Sequence, residues 1–204
     1  MKKQLITFCG MTLAVLSVIF TTACATAPGA HNGDALGENL VVNPGFETDN
    51  MDVWRVSLDG VPNPPNVYDG DGTGRGVGPD IANPRSGQWG FRWWRPANNP
   101  ISFTIEQDII VPESGVYRFG LFLTGGNAGP GAVIYTYILV NGTEAGRSGT
   151  LGSLPGWTNW NNPAIEVEAN EGDVVTIGAS LSFPNNTGGA WGTLDDFAFF
   201  LISR

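Results

Sequence analysis

From Gly33 to the C-terminus the 204-residue chain contains no lysine, no cysteine and no histidine. Lys2, Lys3, Cys9, Cys24 and His31 all precede that point. These absences remove whole mechanisms from residues 33–204. There is no Ser-His or Cys-His nucleophile, no Schiff-base lysine, no thiolate or imidazole zinc site and no disulfide. Charge is scarce as well, at 14% of residues, and it is one-sided. From Gly33 onward nineteen acids face eight arginines, a formal charge of −11. That sign argues against a nucleic-acid partner, because phosphates need a basic surface. No stretch keeps a 3.6-residue apolar period for three turns, so long amphipathic helices are not expected. What the chain has in abundance is Gly (29), Pro (14), Asn (17) and Trp (7).

The N-terminus reads as an export signal. Two lysines in Met1–Gln4 precede the apolar stretch Leu5–Phe20, and small residues follow from Thr21 to Ala27. That order describes a secretory signal peptide, and the stretch is short for a membrane span of about 20 residues. Two exits compete. Thr21-Thr22-Ala23-Cys24 resembles a bacterial lipobox, with Thr21 where Leu is usual, and makes Cys24 the lipidated first residue. Ordinary cleavage falls within Ala23-Cys24-Ala25 or Ala25-Thr26-Ala27. One cysteine at this spot in an otherwise cysteine-free exported chain favours the lipoprotein. The division expected is a signal peptide over 1–23, a flexible tether over 24–38 and one domain over 39–204.

The domain reads as all-β. Short alternating apolar sets are broken by Gly, Pro and Asn clusters. They are Trp89/Phe91/Trp93, Ile101/Phe103/Ile105, Tyr117/Phe119/Leu121/Leu123, Val133–Val140, Ile165–Val167, Val174–Ala179 and Leu194–Ile202. Period-2 alternation between turn signals indicates strands with one face in a core. Turns are marked at Glu113-Ser114-Gly115, Asn141-Gly142 and Asn170–Asp173. Eight to ten strands imply an antiparallel β-sandwich of jelly-roll type. Two irregular loops, Asp59–Pro84 and the Gly-rich Gly125–Gly131, are where binding groups would sit.

Five motifs then resemble one family in the same order. They are Asn39–Glu47 followed by Trp54, Pro84–Trp89, Phe103–Gln107 with Gly115–Phe119, and Trp191–Phe197. Together they resemble galactose-binding-like carbohydrate-binding modules. The spacing of Trp157 and Trp160, the Gly125-Gly126 loop and the Trp-Gly-x-Leu-Asp-Asp-Phe ending look most like family 61. The resemblance implies recognition of β-1,4-galactan without catalysis, with polysaccharide-degrading enzymes as working partners. It also implies a structural Ca²⁺ held by Glu47, the Gly45 carbonyl and Asp195, with Asp196 as substitute if the strand phase slips by one. An all-oxygen set of that kind is what Ca²⁺ takes. Asp69–Gly74 also looks like a calcium loop, but it lacks the remaining acids and reads as a solvated turn.

Two other function classes fit the same sequence. Glu106, Asp108, Asp80 and Asp195 supply acids for a small hydrolase or lyase, which needs two carboxylates roughly 5–10 Å apart. Nothing in the sequence pairs them. A structural or adhesive surface protein would instead bury all seven Trp.

Sugars present C–H faces that stack on indoles, while Asn and Arg bond their hydroxyls. Most aromatics of a sandwich nevertheless fill the core. Parity puts Trp89, Phe91 and Trp93 on one face, whose register resembles the family's core positions and so implies that they are core, and sets Arg92 and Trp94 on the opposite face. Trp160 and Asn161 precede a strand, Trp191 follows a polar loop, and Trp157 covers the sheet end. The expected ligand contacts are therefore Arg92, Trp94, Trp160, Asn161 and Trp191. Trp54 reads as structural. Of Tyr135/Tyr137 and Ile134/Thr136/Ile138, one set must be core, and alternation does not say which.

Overall fold

A computed structural model describes residues 35–48, 51–62, 76–81, 83–127 and 129–204, so the export signal, Cys24 and the Asp69–Gly74 turn lie outside the described residues. No helix occurs among them. The strands are β1 (Arg55–Leu58), β2 (Val61–Pro62), β3 (Gly76–Asp80), β4 (Gly90–Arg95), β5 (Ile101–Ile110) and β6 (Gly115–Gly126). They continue with β7 (Val133–Val140), β8 (Thr143–Arg147), β9 (Gly156–Asn161), β10 (Ala164–Ala169), β11 (Val174–Phe183) and β12 (Ala190–Ser203). One sheet runs β2-β1-β5-β11-β7-β8 and the other β10-β6-β12-β4-β3, with β9 also paired to β6. Every pairing is antiparallel. The chain is an all-β sandwich. The twelve strands exceed the expected eight to ten because β3 (GVGPD) and β9 (GWTNWN) carry little apolar alternation. Such strands are held by their neighbours' ladders and give no signal of their own.

Alternation sorts the core as expected along β5, where Ile101, Phe103, Ile105 and Ile109 are buried and Ser102, Asp108 and Ile110 are exposed. Tyr117, Phe119, Leu121 and Leu123 of β6 face them from the other sheet. Ile134, Thr136 and Ile138 take the inner face of β7, which puts Tyr135 and Tyr137 on the outer face, where Tyr137 is buried against Gly178 and Glu106. Trp93 and Phe91 are core, but Trp89 is not: it sits one residue ahead of β4, where the alternation has not begun, and is 37% exposed. Trp54 is buried against Phe46 and Phe197, as a structural residue should be.

The N-terminal segment lies along the second half of β12, on the flank that β4 leaves after Leu194. Leu36 and Leu40 donate backbone hydrogen bonds to the Leu201 and Phe199 carbonyls, and Phe197 donates to that of Pro44. The Asn39 amide bonds both the carbonyl of Phe197 and the N–H of Phe199. Among the described residues, attachment is thus seen from Leu36, three residues before the expected domain start. Between Asp195 and Ala198 the β12–β6 register shifts, and Asp196 adopts φ 49°. This bulge turns Phe197 and Phe199 inward while leaving Asp195 on the outer side.

Candidate functional site

The outer face of the β4–β12–β6 layer gathers most of the expected contacts. Trp191 registers with Trp94, and Thr193 with Arg92, across β12 and β4. Paired residues point to the same side of a sheet. Across β6, Trp191 registers with Gly126. A Cβ at Gly126 would strike the Trp191 indole at 2.4 Å, so the bare glycine is what lets the ring lie there. Trp157, at the start of β9, then stacks on Trp191 with centroids 3.8 Å apart and planes 14° from parallel. The Arg92 guanidinium carbon stands 5.4 Å from the Trp157 ring centre. Asn83 bonds the Trp157 carbonyl at 3.3 Å, and the Thr124 hydroxyl bonds that of Gly156, so the start of β9 is anchored.

Trp157 is 46% exposed, whereas Trp191 and Trp94 are half-buried. The expected roles therefore shift. Trp157, expected to cover the sheet end, is the more exposed indole of the stacked pair, with Trp191 beside it. Both Trp in β9 occur where no other apolar residue does, and that is the signal that could have found Trp157. An indole with no core alternation to join is left at the surface. Trp160 and Asn161 are half-buried at the end of β9, and Asn161 registers with Leu123 rather than with the stacked pair.

Segment 84–89 folds over the same face. Asp195 is fully buried and accepts the N–H groups of Arg85 (2.6 Å), Ser86 (3.2 Å) and Asp196 (2.7 Å). Burial first, and the adjacent Asp196 charge second, push Asp195 up to about 7 against those three donors. Asp196 binds Arg85 at 2.5 Å and the Ser86 hydroxyl at 2.6 Å. The Arg85 guanidinium lies 3.4 Å over the Phe122 ring. Glu47 turns its carboxylate to the N–H groups of Gln88 (2.9 Å) and Trp89 (3.0 Å). Gly87, at φ 61°, makes that approach free, since a Cβ there would meet Glu47 Oε1 at 2.1 Å.

Gly45, Glu47 and Asp195 are neighbours: a Cβ on Gly45 would sit 3.4 Å from Asp195 Oδ1 and 3.7 Å from Glu47 Cγ, while the Glu47 carboxylate itself is turned to the Gln88 and Trp89 N–H groups. The donor atoms are all oxygen, the kind that a hard cation takes, and Asp195 and Asp196 are buried beside Arg85. Among the described residues no three acid side chains converge on one point. A cation here would need backbone carbonyls to complete its shell.

The acids considered for hydrolysis are divided. Glu106 and Asp108 lie on the opposite sheet, bonded to Arg55 at 3.3 and 2.5 Å. Thr176 donates to Asp108 at 2.6 Å, and the Tyr137 hydroxyl donates to Glu106. The Arg55 hydrogen bond holds Asp108 below the usual carboxylate range. Burial and Glu106 push Tyr137 well up, so it stays a donor. Asp195 is buried in the other layer.

No protein-family model matches the sequence, and no curated protein matches it. Solved structures do. A family 61 carbohydrate-binding module, solved in complex with β-1,4-galactotriose, superposes with a TM-score of 0.59 at 27% identity, over 81% of this chain and 99% of that one. The fold is carbohydrate-binding-module-like. Similar structures also include the xylan-binding domain CBM22-1 from Paenibacillus barcinonensis Xyn10C (12% identity, 82% of this chain and 97% of that one, TM-score 0.48). Another is a family 35 module from Clostridium thermocellum (21% identity, 61% and 88%, TM-score 0.44). In this module-like fold the stacked tryptophans stand on the outer face of one layer, and the paired acids Glu106 and Asp108 stand on the other.

Proposed function

We propose that the chain is a non-catalytic carbohydrate-binding module that holds β-1,4-galactan at a bacterial cell surface. One observation carries this reading: the solvent-facing Trp157 indole, stacked on Trp191 and flanked by Arg92, with Trp94 in register beside Trp191. An exposed, braced indole is an apolar plate on an otherwise polar sheet, and such surfaces mark binding sites. Sugar C–H faces stack on it while Arg92 and nearby amides bond hydroxyls. Galactan is favoured because the similar family 61 module was solved with β-1,4-galactotriose. Export, with lipidation at Cys24, would tether the module outside the membrane, where many weak contacts with one polymer add up.

The test is affinity electrophoresis of the purified protein, with Ca²⁺, in gels containing β-1,4-galactan, arabinogalactan, xylan, mannan or β-glucan. Retardation by galactan with no reducing ends released is the expected result. Released oligosaccharide would turn the reading to an enzyme, and no retardation in any gel would leave a structural surface protein.

The same reading includes a structural Ca²⁺ held by Glu47, Asp195 and the Gly45 carbonyl. Its support is the surplus of buried negative charge around Arg85. Adding Ca²⁺ to chelator-treated protein is expected to raise Tm by roughly 5–10 °C, the shift for a ligand at about a hundredfold excess over its Kd. Asp195→Asn should remove that response. An identical Tm in Ca²⁺ and in chelator would remove calcium from the account.

A further inference from the structure

The face that carries the tryptophans does not end with them. β9 and β10 lie end to end along one flank of β6: Asn161 registers with Leu123, and Ala164 with Gly120. Pro163, in the gap between them, has no N–H to give to a ladder, so the edge breaks there. At the break lies an open depression of about 500 Å³ lined by Arg118, Asn162, Ala164 and Glu166. Gly120 lies next to this lining, with Asn162 Oδ1 3.3 Å from where a Cβ on it would stand.

Arg118, Gly120, Phe122, Thr124 and Gly126 alternate along β6 with the inward Phe119, Leu121 and Leu123. The depression and the Trp157–Trp191 pair therefore share one face of one strand. Six residues of β6 separate Gly120 from Gly126, about 20 Å of strand. That is beyond the reach of a single sugar and suited to a chain of them.

The chemistry of the depression differs from that of the platform. Arg118 donates from Nε (3.0 Å) and Nη2 (2.6 Å) to the same oxygen, Glu166 Oε1. Among the described residues, Glu166 Oε2 and the Asn162 amide have no hydrogen-bond partner. An open acceptor, an amide that both donates and accepts, and no aromatic ring make a site for hydroxyl groups rather than for stacking.

We infer that this depression is a second subsite, which binds the hydroxyls of a sugar unit further along the same polysaccharide chain. The inference rests on the proposed sugar-binding reading of the platform. It makes the protein a reader of extended chains rather than of chain ends or single sugars.

The test is calorimetric titration of the full protein with galactotriose and with longer β-1,4-galacto-oligosaccharides. Wild type should gain roughly tenfold in affinity from the short to the long ligand, the size of one or two net hydrogen bonds. Asn162→Ala and Glu166→Gln should each lose most of that gain while binding galactotriose as wild type does. Gly120→Ala, which crowds Asn162, gives a second route to the same loss. Unchanged Tm values show that the variants are folded. Equal gains in wild type and variants, or no gain in wild type, would overturn the subsite and leave the platform standing. No binding of either ligand by wild type would overturn the platform reading and the subsite with it.

Discussion

Trp157→Ala is expected to weaken galactan binding by at least about 30-fold, the loss of some 2 kcal/mol typical of a central aromatic contact. Retardation in an affinity gel should then fall to the level of a non-binding control. The fold should survive, because Trp157 is 46% exposed and sits at the start of a strand that, among the described residues, pairs only with β6. Trp191→Ala should weaken binding comparably by a different route. It leaves Trp157 without the ring that stacks on it at 3.8 Å. Since the two indoles act through one another, the double variant should cost less than the two single losses added together. Arg92→Ala should have a smaller effect, as its guanidinium flanks the Trp157 ring at 5.4 Å. A Trp157→Ala protein that binds like wild type would move the search to the opposite sheet, where Tyr135 and Tyr137 form the other outward aromatic pair.

Phe197→Ala is expected to destabilise the domain by about 3–5 kcal/mol, the usual range for emptying a buried phenyl site. That is a large share of the 5–15 kcal/mol that holds a typical domain folded. The ring is fully buried and meets Phe46, Trp54 and Phe119 at centroid distances of 5.6, 4.8 and 6.2 Å. Phe46 and Trp54 belong to the N-terminal part of the chain, and the Phe197 N–H bonds the Pro44 carbonyl in the same segment. The cavity should therefore loosen the first turn, and Glu47 with it, before it disturbs the distant Trp157–Trp191 pair. Urea unfolding gives the stability change. A loss below about 1 kcal/mol would mean that the surrounding rings close the space, and that Phe197 does not join this segment to the sandwich.

The alternating runs identified β5, β6, β7, β11 and most of β12 because one face of each is buried, and burial imposes period 2 on the sequence. They also separated Phe91 and Trp93 from Arg92 and Trp94, since parity within a strand decides sidedness. Parity failed at Trp89, which precedes the strand. It was silent for Tyr135 and Tyr137, where both faces of β7 are apolar. The Asp195-Asp196 bulge was not legible either: an extra residue in a ladder exists only relative to its partner, β6. The expectation of an export signal, the lack of Lys, Cys and His from Gly33 onward, the all-β class and the motif order belong to the sequence alone, for they depend on composition and local spacing. That Trp157 meets Trp191, that Arg85 covers Phe122, and that Asn162 opens a depression 20 Å or so along β6 from the indoles were decided by tertiary structure. Each depends on which strands lie side by side, and antiparallel pairing joins residues tens of positions apart through contacts that leave no local trace.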